Sequence, residues 1–127
     1  MSGTSTDGVD AVLAAFPPTA APSLLGQASI PMPQALRTEF LALNSPGNNE
    51  LERAARAGND LAHLYAQACQ QLLNESGVPA SDICAIGAHG QTVRHDPQAG
   101  YTIQINAPAL LAELTGIDVI ADFRSRD

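Results

Sequence analysis

The sequence predicts an α/β protein in which helices pack on a mixed sheet. Three observations point there. Apolar runs of strand length occur at 9–16, 83–88 and 117–121, bounded by polar or proline-rich turns. Residues 50–77 carry apolar side chains at three- and four-residue steps, the stripe of a long amphipathic helix. The run at 83–88 follows that helix directly, the order that builds parallel strands.

The chain opens on Met-Ser-Gly-Thr-Ser-Thr-Asp-Gly-Val-Asp, with two glycines, three of its hydroxyls in a row and two carboxylates. Gly8 is free to take a positive φ, and successive backbone N–H groups in such a turn can form an anion-binding concavity. Thr4, Ser5 and Thr6 add hydroxyl donors, and Asp7 or Asp10 could hold a divalent cation directly or through water. One reading is a phosphate-binding turn between two strands. The other is an ordinary polar hairpin turn, which uses the same residue types. The sequence contains no Gly-x-x-x-x-Gly-Lys-Ser/Thr and no Gly-x-Gly-x-x-Gly fingerprint.

Residues 9–16 read as a buried strand, ended by Pro17, Pro18 and Pro22, and residues 23–30 as a second strand, ended by Pro31 and Pro33. Pro33 also suits the first position of a helix over 33–43, where Ala35, Leu36, Phe40, Leu41 and Leu43 recur at helical spacing. A loop at 44–49 precedes the long helix, whose apolar stripe runs from Leu51 through Leu61 and Ala68 to Leu73. Gly58-Asn59-Asp60 is a candidate bend, Gly77 the C-terminal cap, and His63 a surface or packing residue. The strand at 83–88 ends in His89-Gly90-Gln91-Thr92, where ligands of open α/β sheets collect. Residues 92–95 and 101–105 alternate around Asp96-Pro97-Gln98-Ala99-Gly100, a β-hairpin signal that makes His95 a hairpin-end residue. Asn106 is the expected N-cap of a helix with Pro108 in its first turn, ended by Gly116. The strand at 117–121 ends in Asp122-Phe123-Arg124, either a sugar or phosphate clamp or a surface ion pair.

Composition narrows the function classes. The 127 residues suit one domain or part of a larger one, and the net charge of −7, with no lysine, repels nucleic acid and anionic membrane surfaces. No apolar run approaches the ~20 residues of a membrane span. Cys69 and Cys84 lack metal-type spacing and read as buried thiols rather than a disulfide, so a reducing cytoplasm is the expected compartment. The first strand is expected to begin ahead of Ser2, and nothing beyond Asp127 completes a site, so the chain reads as an N-terminal lobe incomplete at both ends.

Four motifs together, residues 1–10, Gly-Ala-His-Gly-Gln-Thr-Val-Arg-His-Asp-Pro at 87–97, Thr-Ile-Gln-Ile-Asn at 102–106 and Val-Ile-Ala-Asp-Phe-Arg-Ser-Arg-Asp at 119–127, resemble the anhydro-N-acetylmuramic acid kinases of bacteria. The resemblance implies the N-terminal lobe of the actin-like ATPase (ribonuclease H-like) fold, a mixed five-stranded type of sheet flanked by helices, in the superfamily of sugar kinases, heat-shock chaperones and actin. It implies use of ATP and Mg²⁺ to phosphorylate 1,6-anhydro-N-acetylmuramic acid while water opens the anhydro ring, giving N-acetylmuramic acid 6-phosphate in murein recycling. Gly3, Thr4, Ser5, Thr6, Asp7, Gly8, Val9 and Asp10 then match the turn that holds the ATP phosphates, with Asp7 as the candidate metal carboxylate and the order of Asp7 and Asp10 about the metal left open. His89, Gly90, Gln91, Asp122 and Arg124 match the sugar side of the cleft. The implied partners are the anhydro-sugar and ATP, with a homodimer as the assembly to test and no nucleic acid or membrane. The family's general base lies in an Asp-Thr-Gly-Pro-Gly-Asn stretch that this sequence lacks, so no catalytic residue is assigned and the chain alone is expected to be inactive. Thr6 stands where the family commonly has Leu. The competing reading is a non-catalytic α/β module that binds a nucleotide or a sugar.

Overall fold

The computed structural model describes residues 6–126. β1 (Gly8–Ala15) and β2 (Ser23–Pro31) form an antiparallel hairpin in which Val9 pairs with Ile30 and Asp10 with Ser29. Side chains alternate across it as strand geometry requires: Val9, Ala28 and Ile30 are buried, and Asp10, Val12 and Ser29 face water. A register shift between Leu13 and Ala14 leaves Leu25 bulged out of the ladder.

α1 (Gln34–Leu43) starts behind Pro33 and buries Leu36, Phe40 and Leu43, one face of the helix. α2 (Glu50–Ser76) runs unbroken for 27 residues and ends at Gly77, whose φ of 70° lets its N–H reach the Leu73 carbonyl at 3.0 Å. Leu61, Ala62, Tyr65, Ala68 and Leu72 make its buried stripe; Leu51, expected on that stripe, is 91% exposed. Gly58 does not break the helix. It lets the chain beyond β5 approach: a Cβ there would lie 3.2 Å from the Asn106 carbonyl oxygen.

After a single 3-10 turn (Ala80–Asp82) comes β3 (Ile86–Ala88), half the length the sequence suggested. β4 (Gln91–Asp96) and β5 (Tyr101–Ile105) form the expected hairpin, with a register shift between Thr92 and Arg94. α3 (Pro108–Thr115) carries Pro at its start and ends at Gly116, and β6 (Val119–Ala121) pairs in parallel with β3. The α/β class is as expected, but the described strands form three two-stranded ladders rather than one continuous sheet. β3 and β6 are three residues each, and Gly90, at φ 80°, turns the chain out of β3 before a longer ladder can build.

The core gathers on α2. Val9 and Ile30 from the first hairpin, Phe40 from α1 and Leu111 from α3 meet Leu61, Ala62 and Tyr65. The alanines of α2 allow this close packing, and Phe40, Leu61 and Leu111 are sealed from water. Cys69 is half-buried and its thiol is pushed up by burial; Cys84 is exposed, not buried as expected; both are free. No helix among the described residues is long and apolar enough to cross a membrane.

Arg94 on β4 ties the loop at 44–49 in place. Its Nε donates to the Leu43 carbonyl at the end of α1, and its Nη2 donates to Glu50 in the first turn of α2. Glu50 also accepts the Gly47 N–H at 3.0 Å. The hydrogen bond from Arg94 holds the Glu50 carboxyl below its ordinary value of 4.5, helped by the Gly47 N–H. A carboxyl depressed on folding stabilises the fold above its unfolded value and loses that contribution as pH falls through the folded one. The melting temperature should therefore drop as pH is lowered from about 5 to 3, and Glu50→Gln should flatten that drop. Parallel melting curves for the two proteins across that window would contradict the assignment.

Candidate functional site

The two parallel strands end side by side. Ala88 pairs with Ala121, so the next residues, His89 and Asp122, emerge together at the carboxyl ends of β3 and β6. Both line a concavity of about 350 Å³, with Thr102, Gln104, Asn106 and Pro108 on its other walls. This is the position at which α/β folds collect ligands, and the volume lies within the roughly 300–1,000 Å³ of small-molecule sites.

Each polar group here is held from behind. Asp122 sits at φ 61°, a left-handed conformation that non-glycine residues adopt rarely and that clusters at functional sites. The Ser125 hydroxyl donates to its Oδ1. The ring of Phe123 lies over Gly87, where an added Cβ would be 3.4 Å away. His89 Nδ1 is 2.9 Å from the Gly90 carbonyl oxygen. A carbonyl only accepts, so Nδ1 carries a proton. Gln104 Nε2 donates to the Thr102 and Thr92 hydroxyls at 2.8 and 3.0 Å. Asn106 Nδ2 donates to the Ala88 carbonyl at 2.9 Å, and its Oδ1 accepts the Ala107 N–H at 3.0 Å. That engagement at the end of β3 displaces Asn106 from the expected N-cap; Ala107 occupies it.

Of the residues matched to the sugar side, His89 and Asp122 face the concavity. Gly90 and Gln91 are buried behind it, Gln91 at 2% exposure, and Arg124, half-buried, is not among the lining residues. Thr102, Gln104 and Asn106 were not singled out as site residues. Polar side chains at alternate positions of a strand were the available signal, since alternate residues share one face.

The phosphate-turn candidates divide differently. Gly3, Thr4 and Ser5 lie outside the described residues. Thr6 is buried with φ 55°, so the positive φ expected of Gly8 falls on Thr6. Gly8 belongs to β1, and its missing side chain serves close strand approach: a Cβ would lie 2.7 Å from the Ile30 carbonyl oxygen. Val9 points into the core and offers only its backbone. Asp10 accepts the Ser29 hydroxyl at 2.6 Å. Asp7 is exposed; its carbonyl accepts the Met32 N–H at 3.0 Å, and its carboxylate lies 3.3 Å from Arg37. Among the described residues no three His, Cys, Asp or Glu side chains gather to hold a metal. His63 lines a groove of about 330 Å³ between α1 and α2, with Asp60 and Gln67, and His95 is an exposed hairpin residue.

Parallel strands that end together at a concavity make this an α/β unit. A family model described as anhydro-N-acetylmuramic acid kinase matches residues 1–127. The chain belongs to that family. It is 64% identical over 127 residues to the anhydro-N-acetylmuramic acid kinase of Bordetella pertussis, covering 100% of this chain and 33% of the relative. It is 62% identical over 131 residues to that of Variovorax paradoxus, covering 100% of this chain and 35% of the relative. To that of Paraburkholderia xenovorans it is 56% identical over 127 residues, covering 100% of this chain and 34% of the relative. The chain thus spans about a third of the length of the curated relatives it matches.

Proposed function

We propose that residues 1–127 are the N-terminal lobe of an ATP-dependent carbohydrate kinase acting on 1,6-anhydro-N-acetylmuramic acid. The complete protein transfers the γ-phosphoryl group to the sugar and opens the anhydro ring with water, yielding N-acetylmuramic acid 6-phosphate for reuse of cell-wall material in the cytoplasm. The observation that carries this reading is the juxtaposition of His89 and Asp122 over one concavity, in a chain whose family is that of these kinases.

In this reading the Asp122 carboxylate accepts hydrogen bonds from sugar hydroxyls, and His89 Nε2 offers a second polar contact beside it. Gln104 and Asn106 shape the opposite wall. The role of holding the β- and γ-phosphates falls to residues 3–10. Mg²⁺ bound with ATP would supply neutralisation of charge on the transferring phosphoryl group, a main demand of phosphoryl transfer. A cation held chiefly by nucleotide oxygens and water needs few protein ligands, so one carboxylate, Asp7, is a fitting donor. Positioning and charge are what this lobe supplies. The base that activates water is not among its residues.

A complete family protein carrying residues 1–127 should release ADP only when both Mg-ATP and the anhydro-sugar are present, in a coupled ADP assay. The 127-residue chain alone should release none. ADP release indifferent to the sugar, or turnover by the chain alone, would contradict the proposal.

A further inference from the structure

We infer that Arg37 is a positioning residue of the nucleotide site, orienting Asp7 and offsetting its charge where the phosphates approach; this rests on reading residues 3–10 as the phosphate turn. α1 begins beside that turn. The Met32 N–H bonds the Asp7 carbonyl, Pro33 follows, and the second turn of α1 brings Arg37 Nη2 to 3.3 Å from Asp7 Oδ1.

Three observations set this pair apart from an incidental surface contact, which by itself would contribute little. First, Arg37 Nε is buried and has no hydrogen-bond acceptor, a state that folded proteins seldom tolerate without a use for the group. Second, the pair borders Thr6, a β-branched residue buried at φ 55°, so backbone strain is stored at the same turn. Third, the turn carries two carboxylates in a chain of net charge −7, a setting that repels a polyphosphate unless a cation stands close. Asp10 is turned onto Ser29, whereas Asp7 is exposed and paired with Arg37. The Asp7 carboxylate meets the guanidinium through Oδ1 and is still largely exposed, so it retains acceptor capacity for a magnesium–nucleotide. The planar guanidinium keeps further N–H donors of the geometry that suits phosphate oxygens.

The test is a calorimetric titration of a complete family protein carrying residues 1–127 with the non-hydrolysable analogue AMP-PNP and Mg²⁺, beside steady-state kinetics. Arg37→Met should weaken analogue binding and raise the KM for Mg-ATP about tenfold, one such loss being that of a charge-assisted contact, with the KM for the sugar unchanged. Arg37→Lys, which keeps the charge, should recover part of the loss. Asp7→Asn should weaken binding similarly, and the double variant should bind no worse than the weaker single variant. Unchanged binding in Arg37→Met with weakened binding in Asp7→Asn would overturn the role of Arg37 alone. Losses that add in the double variant would overturn its action through Asp7. Unchanged binding in both would remove the phosphate-turn reading itself.

Discussion

Gly90→Ala is expected to destabilise the protein by about 2–5 kcal/mol, combining a left-handed residue with a side chain, about 1–2 kcal/mol, and overpacking, about 1–3 kcal/mol. Gly90 has φ 80°, and a Cβ there would lie 2.6 Å from the Ile105 carbonyl oxygen and 3.0 Å from Asn106 Cβ. Neither neighbour gives way easily. The oxygen belongs to the backbone of β5, and Asn106 is tied to Ala88 and Ala107. Gly100→Ala is the matched comparison: it has φ 78° but nothing within 4 Å of the added atom. It should lose only the conformational part, about 1–2 kcal/mol. Urea unfolding of the two variants separates the effects; equal midpoints would show that the contact of Gly90 with β5 carries no weight. Because Gly90 adjoins His89, relief of the overlap also shifts the imidazole from the concavity, and the KM for the sugar should rise with the loss of stability.

Much of the architecture follows from local signals. The buried stripe of α2 is set by apolar spacing, its end by Gly77 and the start of α1 by Pro33. The hairpin of β4 and β5 follows from alternation around Asp96-Pro97 and Gly100. The order strand, helix, strand points to parallel strands around α2; the structure instead pairs β3 in parallel with β6, and that pairing places His89 beside Asp122. What was not legible depends on contacts distant in sequence. Asn106 looks like an N-cap from its neighbours, but a carbonyl 18 residues away claims its amide. Gly8 looks like a turn glycine, but its role is set by Ile30 across the hairpin. Leu51 fits the helical period, yet it is 91% exposed, because helical spacing alone does not say which side of the first turn other elements reach. Arg37 gave no local sign of its pairing, because Asp7 is thirty residues earlier and meets it only once β2 has returned the chain.

The second large effect concerns Asp122. Its carboxylate is exposed to the concavity and held by the Ser125 hydroxyl, so replacing it by Ala removes acceptors without opening the core. A hydrogen bond to a charged group contributes about 1.5–3 kcal/mol, equivalent to roughly 10–150-fold in kcat/KM. His89→Ala removes a single ring contact and should have a smaller effect in the same direction. Mg-ATP is expected to contact the turn at 3–10 rather than these strand ends, so its KM should stay near that of the unsubstituted protein. The decisive measurement is kcat/KM for 1,6-anhydro-N-acetylmuramic acid, at saturating Mg-ATP, in a complete family protein carrying Asp122→Ala. A fall of at least about tenfold, with the KM for Mg-ATP preserved, is the expected result. Unchanged kcat/KM for the sugar, or a change confined to Mg-ATP, would contradict the placement of the sugar at the ends of β3 and β6.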